Sequence, residues 1–168
     1  TFRTLELVKE RYPELILCLS TNGLLLPKYV EDLHDLGVRT LTVTLNAVDP
    51  WIGEKIYSCV RWENKILNSV EGATVLLRNQ LTGIKKAAEL EIFVKINSVL
   101  IPGVNNSHLA EVARKAKSLG AYIQNITPLI PLGRFRELKP PSCDQIFQTR
   151  LQCEQIIRQF CLCKQCRA

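Results

Sequence analysis

Short apolar runs and amphipathic helical patterns take turns along this chain, and that alternation limits its fold more than any other feature. The cleanest run is Thr40-Leu-Thr-Val-Thr-Leu-Asn46, where Thr40, Thr42, Thr44 and Asn46 alternate with Leu41, Val43 and Leu45. A period of two, with one polar and one apolar face, is the pattern of a strand, and Asp49-Pro50 breaks it. Leu15 to Ser20, Ile92 to Leu100 and Ala121 to Ile126 read as three further strands. Helical patterns run from Thr1 to Arg11, Pro27 to Leu36, Ser69 to Leu90, Ser107 to Leu119 and Ser142 to Phe160. Pro27 suits a first helical turn, and Gly37 and Gly120 suit helix ends. Ser107 is the expected cap of its helix. Gly72 and Gly83 count against the long helix around them. Residues 51–68 hold both tryptophans, show little period and read as irregular.

Four strands, each followed by a helix, predict an α/β fold with a parallel sheet. Polar residues on the strand faces (Thr42, Thr44, Asn46, Lys95, Asn97) favour a partial (β/α) barrel over an open sheet, whose buried strands would be almost wholly apolar. The same residues lie toward the C-terminal strand ends, where α/β folds place their ligands. The expected organisation is a partial barrel over 1–132, a Gly-, Pro- and charge-rich connector over 133–141, and a helix with a cysteine tail over 142–168.

Composition narrows the class. With 46% hydrophobic and 23% charged residues, the chain is an ordinary one-domain globular sequence. No apolar run approaches the roughly 18 residues that span a bilayer, so no membrane partner is expected. The net charge of +6 is scattered rather than gathered into a basic stripe with interleaved aromatics, so no nucleic acid is expected. Seven cysteines and no signal-peptide pattern point to reduced thiols in the cytoplasm. The chain has no methionine and opens directly on a helical pattern, as a piece of a longer protein would.

Chemistry concentrates in the thiols. Cys163-Lys-Gln-Cys166 lets one short turn aim two sulfurs at a soft metal or an iron–sulfur cluster, with Cys161 a possible third thiolate. Incidental thiols or a disulfide are the alternatives. Cys18 is read near the C-terminal end of the first strand, facing a ligand, with a small buried hydrophobe as its alternative. Thr44 and Asn46 end the second strand pointing the same way and can hydrogen-bond a ribose or a carboxylate, with a satisfied polar strand face as the alternative. Ile96 can meet an adenine through its backbone or side chain, or be plain core. His34 and His108 have no ligand-type partner at helical spacing. There is no phosphate-cradling glycine loop and no arrangement from which a catalytic residue can be assigned.

Five strings, in order and over nearly the whole chain, resemble the NifB family of radical S-adenosylmethionine proteins of nitrogenase cofactor biosynthesis. They are Leu17-Cys-Leu-Ser-Thr-Asn-Gly23, Thr42-Val-Thr-Leu-Asn-Ala-Val-Asp-Pro50, Val94-Lys-Ile-Asn-Ser-Val-Leu-Ile-Pro-Gly103, Asn125-Ile-Thr-Pro-Leu-Ile130 and Cys163-Lys-Gln-Cys-Arg-Ala168. The resemblance implies an incomplete (β/α) barrel. It implies a reaction that joins two [4Fe-4S] clusters, inserts a carbide taken from the S-adenosylmethionine methyl group and adds a sulfur. It further implies that Cys18 helps hold one precursor cluster, that Cys163 and Cys166 hold the other, and that Thr44 and Ile96 contact S-adenosylmethionine. Soft thiolates suit both cluster sites. The implied partners are iron–sulfur cluster donors and the scaffold or carrier proteins of nitrogenase assembly.

Three departures qualify the resemblance. The family's radical-cluster motif, Cys-x-x-x-Cys-x-x-Cys, does not occur in these 168 residues. The 133–141 connector is shorter than the family's glycine-rich loop. Gln124 stands where the family pattern leads one to expect a histidine. The expectation is therefore the central and C-terminal part of a NifB-like protein that does not cleave S-adenosylmethionine by itself; formation of 5′-deoxyadenosine would contradict it. Two other classes compete: an iron–sulfur scaffold without radical chemistry, and a small α/β binding domain with a zinc-holding tail.

Overall fold

The computed structural model describes residues 1–161. Its elements run α1 (Phe2–Arg11), β1 (Leu17–Thr21), α2 (Leu26–Asp35), β2 (Val38–Thr44), α3 (Pro50–Ile56), β3 (Cys59–Trp62), β4 (Lys65–Asn68), α4 (Ser69–Glu89), β5 (Phe93–Leu100), α5 (Leu109–Ser118), β6 (Ile123–Pro128), a single 3-10 turn (Gly133–Phe135), α6 (Cys143–Glu154) and β7 (Arg158–Gln159). Strands β1-β2-β5-β6-β7 pair in that order, all in parallel. The α/β class with a parallel sheet is as the sequence predicts.

Alternation along each strand sorts side chains to two unlike faces. Leu17, Leu41, Val43, Val94, Ile96, Leu100 and Ile126 are buried with Val30 and Leu33 of α2, Ile84 and Ala87 of α4, Val112 and Ala113 of α5, and Cys153 of α6. The helices therefore cover one face. The opposite set, including Cys18, Ser20, Thr40, Thr44, Phe93, Lys95, Asn97 and Ile123, is exposed or half-buried and forms an open inner wall of mixed polar and apolar character. A second apolar cluster closes the C-terminal ends of β2, β5 and β6: Ala47, Ile56, Ile101 and Leu129 are buried there, with Tyr57, Val99 and Phe135 packed against them.

Four expectations are corrected. Residues 51–68 are ordered as helix α3 and the antiparallel hairpin β3–β4, because Asp49 caps α3 through Trp51 N–H and the hairpin turn places Glu63 and Asn64 at positive φ. Gly72 and Gly83 do not weaken α4. A Cβ on Gly83 would stand 2.7 Å from the Leu26 side chain, so its hydrogen lets α2 and α4 approach. Ser107 does not cap α5, which begins after His108 with no side-chain cap. The last helix stops at Glu154 rather than Phe160, and the chain re-enters the sheet as the fifth strand, β7.

Candidate functional site

Register places the polar side chains of the open face in rows. Cys18 lies beside Thr40, which lies beside Phe93. One step along, Thr42 lies beside Lys95, and Lys95 beside Ile123. The third row is Thr44, Asn97 and Asn125. A cavity of about 300 Å³ opens on this face, lined among others by Cys18, Thr42, Lys95, Phe93 and Phe160. The Cys18 thiol is exposed. Its place in the strand differs from the sequence reading: Cys18 is the second residue of β1, not near its C-terminal end, because the strand starts at Leu17 and runs on to Thr21. It still faces the open side, since Leu17 and Leu19 take the helix side.

The third row has an unfilled acceptor. Asn125 is 1% exposed, and its Nδ2 donates to Asn97 Oδ1 at 3.0 Å. Its own Oδ1 is buried and has no partner among the described residues. An unmet buried acceptor costs free energy that a hydroxyl or amino donor would recover. Thr44 and Asn97 of this row are half-buried and offer polar side chains to the open face, whereas Asn125 lies closed off behind them.

At the strand ends, side-chain amides donate to backbone carbonyls and to the Tyr57 hydroxyl, while Gln80 Oε1 is buried without a partner among the described residues. Gln80 of α4 is 1% exposed, and its Nε2 donates to Asn22 O at 2.7 Å and Thr44 O at 2.8 Å. Gly23, at φ +81°, makes room for it: a Cβ there would stand 2.8 Å from Gln80 Cγ. Asn46 accepts Val99 N–H at 2.9 Å and donates to the Tyr57 hydroxyl at 3.3 Å. Asn105 donates to Asn46 O and Val99 O, both at 2.9 Å. Burial pushes the Tyr57 phenol up, against hydrogen bonds from Asn46 and Gln80, so it stays protonated. Asn46 is thereby a strand-end brace, whereas the Thr44 side chain, half-buried, lines a further cavity of about 280 Å³ with Asn22, Tyr57 and Gln80.

The remaining sequence candidates separate. Ile96 is fully buried in the helix-side core, because alternation turns it away from Lys95 and Asn97, so its side chain cannot meet a ligand on the open face. Cys153 is fully buried, and loss of hydration pushes its thiol up to about 11, against the nearby Arg114 charge; it is neutral packing, not a ligand. Cys59, Cys143 and Cys161 are exposed, and the last two line one cavity of about 640 Å³ beside α6. Cys163 and Cys166 lie outside the described residues. No group of three or more His, Cys, Asp or Glu side chains able to hold a metal occurs among the described residues. No helix there is long and apolar enough to cross a membrane.

What the sequence reading missed is how the chain returns to the open face just before the tail. A line of side-chain hydrogen bonds crosses the sheet on the helix side. Ser98 Oγ donates to Leu45 O at 2.7 Å, Gln124 Nε2 to Ser98 Oγ at 3.1 Å, and Gln159 Nε2 to Gln124 Oε1 at 3.1 Å. Phe160 N–H donates to Gln124 O at 2.7 Å. These bonds seat β7 on the sheet edge and set the Phe160 ring on the open face, with Lys95 Nζ 5.1 Å from its centroid. Cys163 follows three residues later in the sequence.

Comparison with known proteins follows the same lines. The profile of the Radical SAM superfamily matches residues 2–116. The FeMo cofactor biosynthesis protein NifB of Methanocaldococcus infernus is 50% identical over 168 residues, which are all of this chain and 55% of that protein. The protein of the same name from Klebsiella pneumoniae is 41% identical over 174 aligned residues, all of this chain and 37% of that protein. The chain thus spans about half the length, or less, of the curated relatives it matches. A domain of pyruvate-formate lyase-activating enzyme from Bacteroides vulgatus superposes with a TM-score of 0.69 over 95% of this chain and 87% of that one, at 17% identity. A radical SAM methyltransferase from Sphaerobacter thermophilus gives 0.64 over 85% and 39%, at 20% identity. At these identities the likeness concerns the fold alone.

Proposed function

We propose, from the premise that this chain belongs to the radical SAM superfamily, that it is part of an enzyme that builds the nitrogenase cofactor precursor. In this reading the parent protein fuses two [4Fe-4S] substrate clusters and inserts a carbide. S-adenosylmethionine, when bound, supplies the methyl carbon and, with a radical cluster held outside these residues, the means to activate it.

The roles of this chain's own residues follow from position. Cys18 offers one precursor cluster a thiolate on the open face, and Cys163 and Cys166 offer ligands to the other. Thr44 and Asn97, backed by the buried Asn125, form the polar row to which the hydroxyl and amino groups of S-adenosylmethionine bind. Gln80 holds the Thr44 backbone in place. The implied partners are iron–sulfur donors and cofactor carriers or scaffolds, in the cytoplasm. The observation that carries the reading is the exposed Cys18 thiol on the open face, with Phe160, the residue directly after β7, lining the same cavity.

The test is anoxic reconstitution with iron and sulfide, followed by electron paramagnetic resonance of the wild type and a Cys163→Ala, Cys166→Ala double variant. A [4Fe-4S] signal that is lost or altered in the variant is the expected result. A folded protein that takes up one zinc per chain and no iron would replace this reading with the zinc-tail domain.

A further inference from the structure

The open face carries a cation in the cavity of the exposed thiol. Lys95 sits at the middle of β5, with Thr42 on one side and Ile123 on the other. It is half-buried and lines the cavity of about 300 Å³ into which Cys18 opens. None of the ion pairs among the described residues includes Lys95, and no carboxylate among them lines the cavity. A lysine that serves only solubility keeps its head in water. The Lys95 ammonium stands 5.1 Å from the centroid of the Phe160 ring, at the cavity rather than out on the helix side.

We infer that Lys95 is the charge partner of the iron–sulfur unit held at Cys18, an inference that rests on the function proposed above. Thiolate and cluster sulfide concentrate negative charge, and an opposite charge nearby favours the ionised ligand and the bound anion. An ammonium offers N–H donors to sulfur and no lone pair to iron, so Lys95 supplies charge and hydrogen bonds without competing as a ligand. Charge and hydrogen bonds at the sulfurs also set a cluster's reduction potential. Reduction adds negative charge, so a neighbouring cation raises that potential. Phe160 has the complementary task of keeping the ammonium inside the cavity. Its place directly after β7, and three residues before Cys163 in the sequence, ties the seating of Lys95 to that strand.

The test uses the full-length parent protein, loaded anoxically with iron and sulfide. Cys18→Ala first identifies the spectroscopic signal that belongs to this site. Lys95→Met then removes the charge and keeps most of the stem. The expected result is a Cys18-dependent signal that titrates at lower potential, iron uptake at that site weakened about tenfold, and recovery of both in Lys95→Arg. Signals that survive Cys18→Ala keep their potentials in Lys95→Met, which reports an intact fold. Unchanged potential and uptake in Lys95→Met overturn the inference and leave the ligand role of Cys18 standing. Loss of every signal in Lys95→Met and Lys95→Arg alike also overturns it, since that marks packing rather than charge. If Cys18→Ala removes no signal and no iron, the ligand reading of Cys18 is what fails, and the inference falls with it.

Discussion

At the scale of single residues, the polar atoms around the strand ends divide into those that brace the backbone and those left free for chemistry. His108 belongs to the first group. Its Nε2 accepts the Val48 N–H at 3.1 Å, which requires the neutral ring. Burial lowers its pKa from 6.5, against the pull of Asp49 and Glu111. The sign is then fixed: below 6.5 the unfolded chain binds a proton that the folded chain resists, so stability falls as pH drops from about 7 toward 5. Thermal midpoints measured across that range are expected to decline in the wild type and to decline less in His108→Gln, whose side chain does not titrate there. Equal slopes in the two proteins would remove His108 from the account. The sequence shows no partner for His108, because Val48 lies sixty positions away and no helical spacing reveals it. Cys18 and Thr44 were legible as open-face residues because alternation fixes the side they face. Asn125 was not, since an amide's unmet oxygen depends on what its neighbours across the sheet already satisfy.

Elements were legible in proportion to their periodicity. The strong alternation of β2 and the long amphipathic stretch of α4 stand close to where the sequence puts them. The β3–β4 hairpin did not show itself because its turn is Glu63-Asn64 rather than the Asn-Gly of a common tight hairpin, and only Val60 of its eight strand residues is buried. Strand β7 has two residues and no pattern of its own. What makes it a strand is tertiary: the Gln124 side chain and carbonyl take Gln159 and Phe160. Replacing Gln124 by Leu keeps the volume roughly and leaves the Ser98 and Gln159 side chains short of a partner in the core. The expected loss is about 1–3 kcal/mol by denaturant unfolding. The more telling readout is local: the Phe160 amide should exchange with solvent faster than the amides of β5. If its exchange is unchanged in the variant, the side-chain line does not hold β7, and the seating of Phe160 over Lys95 needs another cause.

For the whole molecule, the governing fact is a parallel sheet covered on one face and paired on only one side of β1 among the described residues. A free parallel edge presents unpaired N–H and C=O groups, and natural sheets protect such edges with charge, proline or a covering segment. Here the approach to the edge is apolar: Leu15 is 53% exposed and Ile16 is 76% exposed, directly before β1. In a barrel that continues across this edge, both the ladder and these side chains would be covered. Left bare, they favour pairing between copies. The 168-residue chain is therefore expected to associate with rising concentration in sedimentation experiments, and Ile16→Lys, which places a charge at the edge without touching the core, is expected to shift it toward monomer. A chain that stays monomeric at all concentrations, with or without the substitution, would mean that the edge is already protected. The open face would then be closed by something other than further strands, and the cavity of Cys18 and Lys95 would have to be reached from the mouth of the sheet rather than across its edge.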